Sequence, residues 1–172
     1  IAMSYWIKNL KELKIFIEHS HHLLDQLFER EIISTEKFAI GGLSRGAFVA
    51  THLLSHPKVK YALGLAPLVD LNCLSETQSF SKEELDALSL ELFFESLYNK
   101  NLFYLIGNRD ERISTDHVFK WVRKLTDYAY DKRIRSPNVE MRIFPSTGHL
   151  GHGSLPYVFE EGTSWIEKQI VR

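Results

Sequence analysis

The sequence has very little cysteine and no excess of charge of either sign. A single cysteine, Cys73, cannot form a disulfide within the chain, which is typical of reducing compartments and favours a cytoplasmic location. The net charge of −1 gives no electrostatic basis for binding nucleic acid or an anionic membrane. Long apolar runs are missing as well, so no membrane span is expected, and residues 1–6 lack the pattern of a signal peptide.

What is present is an alternation of strand-like and helix-like patterns along 172 residues, a length typical of one domain. Buried strands are predicted at residues 36–41, 61–66, 102–107 and 139–144, and helices at about 5–31, 45–56, 81–98, 115–130 and 154–170. Such an alternation predicts a mostly parallel sheet covered by helices, an α/β fold with three layers.

The most informative motif is Gly42-Leu43-Ser44-Arg45-Gly46, which joins the first predicted strand to a helix. A serine in such a tight strand-to-helix turn is lifted above the edge of the sheet, a nucleophile elbow. Glycine two residues before and two residues after the serine is expected to relieve crowding of the backbone. The pattern therefore predicts that Ser44 is a nucleophile.

Two further groups follow later strands of the predicted sheet. Asp110 and Glu111 lie just past the third strand, and His149 and His152 lie just past the fourth. Because reactive groups collect at the carboxyl ends of parallel strands, an acid and a histidine are expected beside Ser44. A histidine would accept the serine proton, and an acid would hold the histidine in the correct tautomer. His149 is favoured because it is nearer the strand, with His152 as the alternative base.

With Gly107-Asn108-Arg109-Asp110 and Gly148-His149 added to the elbow, the chain resembles the α/β-hydrolase superfamily. The similarity is to the branch of dienelactone hydrolases and prolyl-oligopeptidase-like serine esterases, and it extends over the C-terminal two thirds of that fold. It implies a triad of Ser44, Asp110 and His149, with Asp110 preferred over Glu111 because it matches the Gly-x-x-Asp pattern of the family. The backbone N–H of Arg45 is implied as an oxyanion donor.

The resemblance implies an esterase that acts on small carboxylic esters through an acyl-enzyme, without a cofactor or a metal. A serine peptidase, an acyltransferase and a non-catalytic or truncated module of the same fold are the alternatives. Because the family's first strands have no counterpart before residue 36, the N-terminal strands are expected to be absent. A missing N-terminal segment or a homo-oligomer is expected to cover the edge of the elbow strand.

Other parts of the sequence allow two interpretations. Residues 71–101 form either a lid over the acyl pocket or a helical insertion that packs on the sheet, and packing is favoured. His52 and His56 have a spacing that suits a metal, but no third ligand adjoins them in sequence, and a structural or surface role is expected. Cys73 is interpreted as a small buried apolar residue.

Overall fold

A computed structural model describes residues 9–171, and the part of the first predicted helix before residue 9 lies outside them. The helices and strands, in chain order, are α1 (Leu10–Glu29), β1 (Ile40–Leu43), α2 (Arg45–Leu54), β2 (Tyr61–Leu65), α3 (Lys82–Asp86), α4 (Phe94–Leu97), β3 (Asn101–Gly107), α5 (Thr115–Asp131), β4 (Val139–Phe144) and α6 (Pro156–Ile170). Short 3-10 turns occupy Leu71–Cys73, Ser75–Thr77, Leu90–Phe93 and His149–Gly151.

The four strands form one parallel sheet in the order β1-β2-β3-β4. Ile40 pairs with Ala62, and the register continues from Ala62 to Leu102 and from Leu102 to Val139. Because all four strands run the same way, their carboxyl ends meet at one edge, where the loops after Leu43, Gly107 and Phe144 converge.

Helices cover both faces of the sheet. Alternate residues of β3 point to opposite sides, so Leu102, Tyr104 and Ile106 join one core and Phe103 and Leu105 join the other. The larger core also contains side chains of α1, α2 and α5, and the smaller one contains Val158 and Trp165 of α6. The predicted three-layer α/β fold is therefore confirmed.

The first strand begins later than the sequence pattern predicted. Residues 36–41 were expected to be extended, but a turn in which the N–H of Lys37 donates to the carbonyl of Ser34 delays the strand to Ile40. Within the described residues β1 pairs only with β2, and Leu43 is 49% exposed. A partner or chain segment that covers this edge stays a prediction.

The segment between β2 and β3 is more broken than the single helix predicted over residues 81–98. The expected capping box is present, since Ser81 and Glu84 exchange hydrogen bonds, but α3 ends at Asp86 and the chain continues through a 3-10 turn into α4. Leu85 and Leu88 are buried in the larger core, whereas Leu92 is 66% exposed. Over residues 9–171, no helix is both long and apolar enough to cross a bilayer.

Candidate active site

Ser44 occupies a sharp turn between the end of β1 and the start of α2. Its backbone has φ 55° and ψ −112°, a conformation that non-glycine residues rarely adopt and that suits a strained nucleophile elbow. Its N–H donates to the carbonyl of Leu65 at 2.8 Å, and its own carbonyl accepts from the N–H of Leu68 at 3.2 Å. These bonds to the end of β2 and to the loop after it fix the turn against the sheet.

The two glycines of the elbow have different roles. A Cβ atom on Gly42 would overlap the backbone of Gly46 and Ala47, so only glycine fits there. A Cβ atom on Gly46 would meet nothing within 4 Å. The prediction that both glycines relieve a steric clash is therefore correct for Gly42 and wrong for Gly46, because it is the Gly46 backbone, and not its missing side chain, that approaches Gly42.

Three side chains from three strand ends form one hydrogen-bonded chain. The Oγ atom of Ser44 lies 2.8 Å from Nε2 of His152, and Nδ1 of His152 lies 2.7 Å from Oδ2 of Asp110. With Nδ1 protonated, His152 donates to Asp110 and offers the lone pair of Nε2 to the serine hydroxyl. This arrangement has the geometry of a nucleophile, a general base and an orienting acid.

The loop after β3 holds Asp110 firmly. Its side chain is fully shielded from solvent, and its Oδ1 atom accepts the backbone N–H groups of Arg112 and Ile113, each at 3.1 Å. The hydroxyl of Thr115 accepts the N–H of Asp110 and donates to the carbonyl of Gly107. Asp110 therefore faces His152 with one oxygen while the other fixes the loop.

The geometry does not support the preference for His149: His152, given above as the alternative base, is the histidine that contacts both Ser44 and Asp110. The loop after β4 turns back at Gly148 and Gly151, whose φ angles are 73° and 71°, so that Gly153 donates to the carbonyl of Thr147 at 2.7 Å. This folding returns His152 to the sheet edge and leaves His149 exposed in the 3-10 turn. The number of residues between β4 and each histidine did not predict which one contacts Ser44, because the loop folds back on itself.

An open pocket of about 290 Å³ lies over the serine and is lined by Leu43, Ser44, Arg45, Arg112 and His152. The guanidinium groups of Arg45 and Arg112 both bond to Oε1 of Glu76, at 2.9 and 3.0 Å. Burial is the largest influence on Arg45 and lowers its pKa, while Glu76 acts in the opposite direction. Arg45 begins α2 directly after the serine, and an oxyanion role for its backbone N–H stays a prediction.

The model of the prolyl oligopeptidase family matches residues 20–171. The chain belongs to this family. The matched residues include the elbow, the loop that holds Asp110 and the loop that holds His152. No curated protein matches the chain in sequence.

Solved structures confirm that this member of the prolyl oligopeptidase family has the α/β-hydrolase fold. TT1662 from Thermus thermophilus superposes with a TM-score of 0.68 at 16% identity, over 91% of this chain and 63% of that one. The acylaminoacyl peptidase of Pyrococcus horikoshii gives a TM-score of 0.62 at 15% identity, over 84% of this chain and 25% of its own. Acetyl xylan esterase 1 from Thermoanaerobacterium sp. JW/SL YS485 gives a TM-score of 0.54 at 12% identity, over 80% of this chain and 47% of its own. The chain thus spans less than two thirds of each of these proteins.

The side chains of several other residues that the sequence offered as site candidates do not contact Ser44, His152 or Asp110 in this family member. Glu111 is paired with Arg109 at 2.7 Å, and the Arg109 side chain is 79% exposed. His52 is buried and lies 3.1 Å from the carbonyl of Leu88, with the edges of two phenylalanine rings against it. His56 contacts Asp25 at 3.0 Å. His52 and His56 thus contact other parts of the fold, and the expectation that they bind no metal stays a prediction.

Cys73 has a more polar environment than the predicted apolar role implies. Its Sγ atom lies 2.6 Å from Nδ1 of His117. Burial, with a smaller effect of the Asp70 charge, raises the pKa of the Cys73 thiol to about 12. Such a thiol is a weak nucleophile at neutral pH, because the reactive species is the thiolate.

Proposed function

We propose that this protein is a serine hydrolase that cleaves carboxylic esters through Ser44, His152 and Asp110. The observation that carries the proposal is the continuous chain of two hydrogen bonds, 2.8 and 2.7 Å long, from the serine hydroxyl to a buried carboxylate. Membership of the prolyl oligopeptidase family supports the same chemistry.

In the proposed mechanism, Nε2 of His152 removes the hydroxyl proton while Oγ of Ser44 attacks the ester carbonyl carbon. The tetrahedral intermediate collapses, the bond to the alcohol oxygen breaks, and His152 returns the proton to the departing alcohol. Water then attacks the acyl-serine ester with the same histidine as base, which releases the acid and restores the hydroxyl. Asp110 stabilises the imidazolium formed in each step.

The pocket supports a small or extended ester better than a deeply enclosed substrate. It is open, and Leu43 offers its only aliphatic side chain among the five lining residues. Arg45 and Arg112 add two positively charged side chains to the lining, and Glu76 partly neutralises their charges. A neutral acyl group that rests on Leu43, with its carbonyl near the start of α2, fits these surroundings.

A serine peptidase is the second candidate, because the matched family is that of prolyl oligopeptidase and one of the similar structures is named an acylaminoacyl peptidase. The two candidates differ in the leaving group, an alcohol or an amine, and share the triad. An acyltransferase differs only in the acceptor that replaces water.

A fluorophosphonate probe tests the proposal on the full-length gene product. We expect stoichiometric labelling of Ser44 in the wild type and no labelling of Ser44→Ala, with Ser146→Ala as a matched control in a neighbouring loop. Well-folded wild-type protein that resists the probe would support a non-catalytic module. A p-nitrophenyl ester and a p-nitroanilide with the same acyl group then separate esterase from peptidase. Turnover of the anilide at an efficiency close to that of the ester would favour the peptidase.

A further inference from the structure

Asp70, Cys73 and His117 form a cluster of possible metal ligands outside the candidate active site. Asp70 and Cys73 lie at the two ends of one 3-10 turn, and His117 lies in the first turn of α5. One ligand atom from each of the three residues lies within 4.8 Å of the others. The cluster is not evident from the sequence, because His117 is 44 residues away from Cys73.

The arrangement differs from that of a proton relay. In the candidate active site, His152 separates its two partners, with one on each ring nitrogen. In the cluster, a thiol, an imidazole nitrogen and a carboxylate oxygen come together instead, as ligands of a shared ion do. Sulfur, nitrogen and carboxylate oxygen are the three ligand types of zinc, whereas thiolate ligands are unsuited to magnesium or calcium.

We propose that Asp70, Cys73 and His117 bind a zinc ion, with the fourth coordination position open to water or another ligand. Zinc displaces the proton of the Cys73 thiol when it binds, and the resulting thiolate and the Asp70 carboxylate then supply two negative charges, which balance the charge of a divalent cation. Three protein ligands and one open position form a common zinc arrangement.

The geometry requires only a small adjustment. Zinc–sulfur and zinc–nitrogen bonds of about 2.3 and 2.0 Å in a tetrahedral site place the two ligand atoms about 3.5 Å apart. The Sγ atom of Cys73 and Nδ1 of His117 are 2.6 Å apart, so the imidazole must move outward by about 1 Å. His117 is exposed, and its side chain has room for that movement.

Hydrogen bonds already orient the carboxylate. Both the backbone N–H and the side-chain amide of Asn72 donate to Oδ1 of Asp70, at 2.9 and 2.8 Å. Both bonds fall on Oδ1, so Oδ2 is the oxygen that we assign to the metal. Such outer partners, which hold a ligand in its binding orientation, are a regular feature of metal sites.

A cavity gives two of the three proposed ligands access to solvent. Asp70 and His117 line a space of about 450 Å³ between the 3-10 turn, α3 and α5. The lining of this cavity shares no residue with the pocket over Ser44, so the proposed zinc site is separate from the proposed hydrolytic chemistry.

The direct test is titration of the metal-free full chain with Zn²⁺ in competition with a chromogenic chelator. We expect one tight site in the wild type. His117→Asn and Cys73→Ser should each weaken binding by more than about 100-fold, because even the loss of an outer-shell partner costs about 10–100-fold. His19→Asn, which changes an exposed histidine of α1, should bind like the wild type.

Cobalt provides an independent readout. Since Cys73 is the only cysteine of the sequence, a sulfur-to-cobalt charge-transfer band in the Co²⁺-loaded protein can come from this residue alone. Circular dichroism of His117→Asn, a change at an exposed position, verifies that the fold is kept. Absence of the band, or zinc binding that survives both ligand substitutions, would overturn the proposal.

Discussion

Asp110 contacts His152 through one carboxylate oxygen and the backbone of its own loop through the other. Oδ2 lies 2.7 Å from Nδ1 of His152, and Oδ1 accepts the N–H groups of Arg112 and Ile113. The side chain is fully buried, so water cannot replace any of these partners. The acid thus orients the histidine and shapes the loop at the same time.

Asp110→Asn separates these two roles. The amide oxygen can still accept both backbone N–H groups, so the loop should persist. The amide NH₂ would face Nδ1 of His152, which favours the tautomer with the proton on Nε2 and removes the base. We expect kcat for ester hydrolysis to fall by about 10³–10⁴ with an unchanged fold. Glu111→Gln, one residue along, should keep wild-type kcat, and equal losses in both variants would contradict the assignment.

His152→Ala and His149→Ala form a matched pair, because both residues lie in one loop and only His152 contacts Ser44. Loss of the base should slow fluorophosphonate labelling and ester hydrolysis by at least about 10³-fold. His149 is exposed, and its substitution should leave both rates near the wild type. A reversed pattern would show that the loop adopts another conformation in solution.

His149 and His152 show which features of the site could be predicted from the sequence and which could not. The alternation of patterns was sufficient to predict the fold, and the strand ends were sufficient to predict where Ser44 and Asp110 lie. The choice between His149 and His152 could not be made from position along the sequence, because a loop with glycines at positive φ can return a later residue to the sheet edge. Glycine on both sides of His152, at Gly151 and Gly153, was the available signal, since a Cβ atom on Gly151 would overlap the carbonyl of Arg109.

The elbow glycines provide a test of steric fit. Gly42→Ala places a methyl group on the backbone of Gly46, so the turn must open. We expect a loss of about 1–3 kcal/mol in the free energy of unfolding, measured with urea, and a loss of Ser44 labelling. Gly46→Ala has open space and lies in the first turn of α2, so this variant should be at least as stable as the wild type. Equal destabilisation of the two variants would refute this difference.

Glu76 connects the elbow helix to the acid loop through Arg45 and Arg112, whose side chains are 14% and 28% exposed. Glu76→Gln would leave two guanidinium groups close together without their shared carboxylate. We expect the free energy of unfolding to fall by about 1–3 kcal/mol, with partial recovery at high salt, which screens the repulsion.

The matched control is Glu91→Gln, which breaks the more exposed ion pair with Lys124. Exposed pairs of this kind contribute about 0–1 kcal/mol, so this variant should be nearly as stable as the wild type. A Glu76→Gln protein no less stable than Glu91→Gln would show that the two arginines need no shared partner.

The buried imidazole of His52 should make stability depend on pH. Burial, the largest effect, lowers the pKa of His52 to about 4, and the charge of His21 acts in the same direction. In the unfolded chain the pKa is about 6.5. Between these two values the unfolded state binds a proton that the folded state excludes, so acid favours unfolding. This effect should lower the free energy of unfolding by about 3 kcal/mol near pH 4 and should be absent above pH 7.

Urea unfolding of the wild type and His52→Gln at several pH values isolates this contribution, since the other groups titrate in both proteins. At pH 7 the variant should be the less stable, because it loses ring contacts with Phe48 and Phe93. Glutamine does not titrate, so the difference should shrink steadily as the pH falls from 6.5 towards 4. His19→Gln, at an exposed position of α1, should follow the wild type throughout. A constant difference between wild type and His52→Gln would mean that the folded protein accepts the proton on His52 as readily as the unfolded chain does.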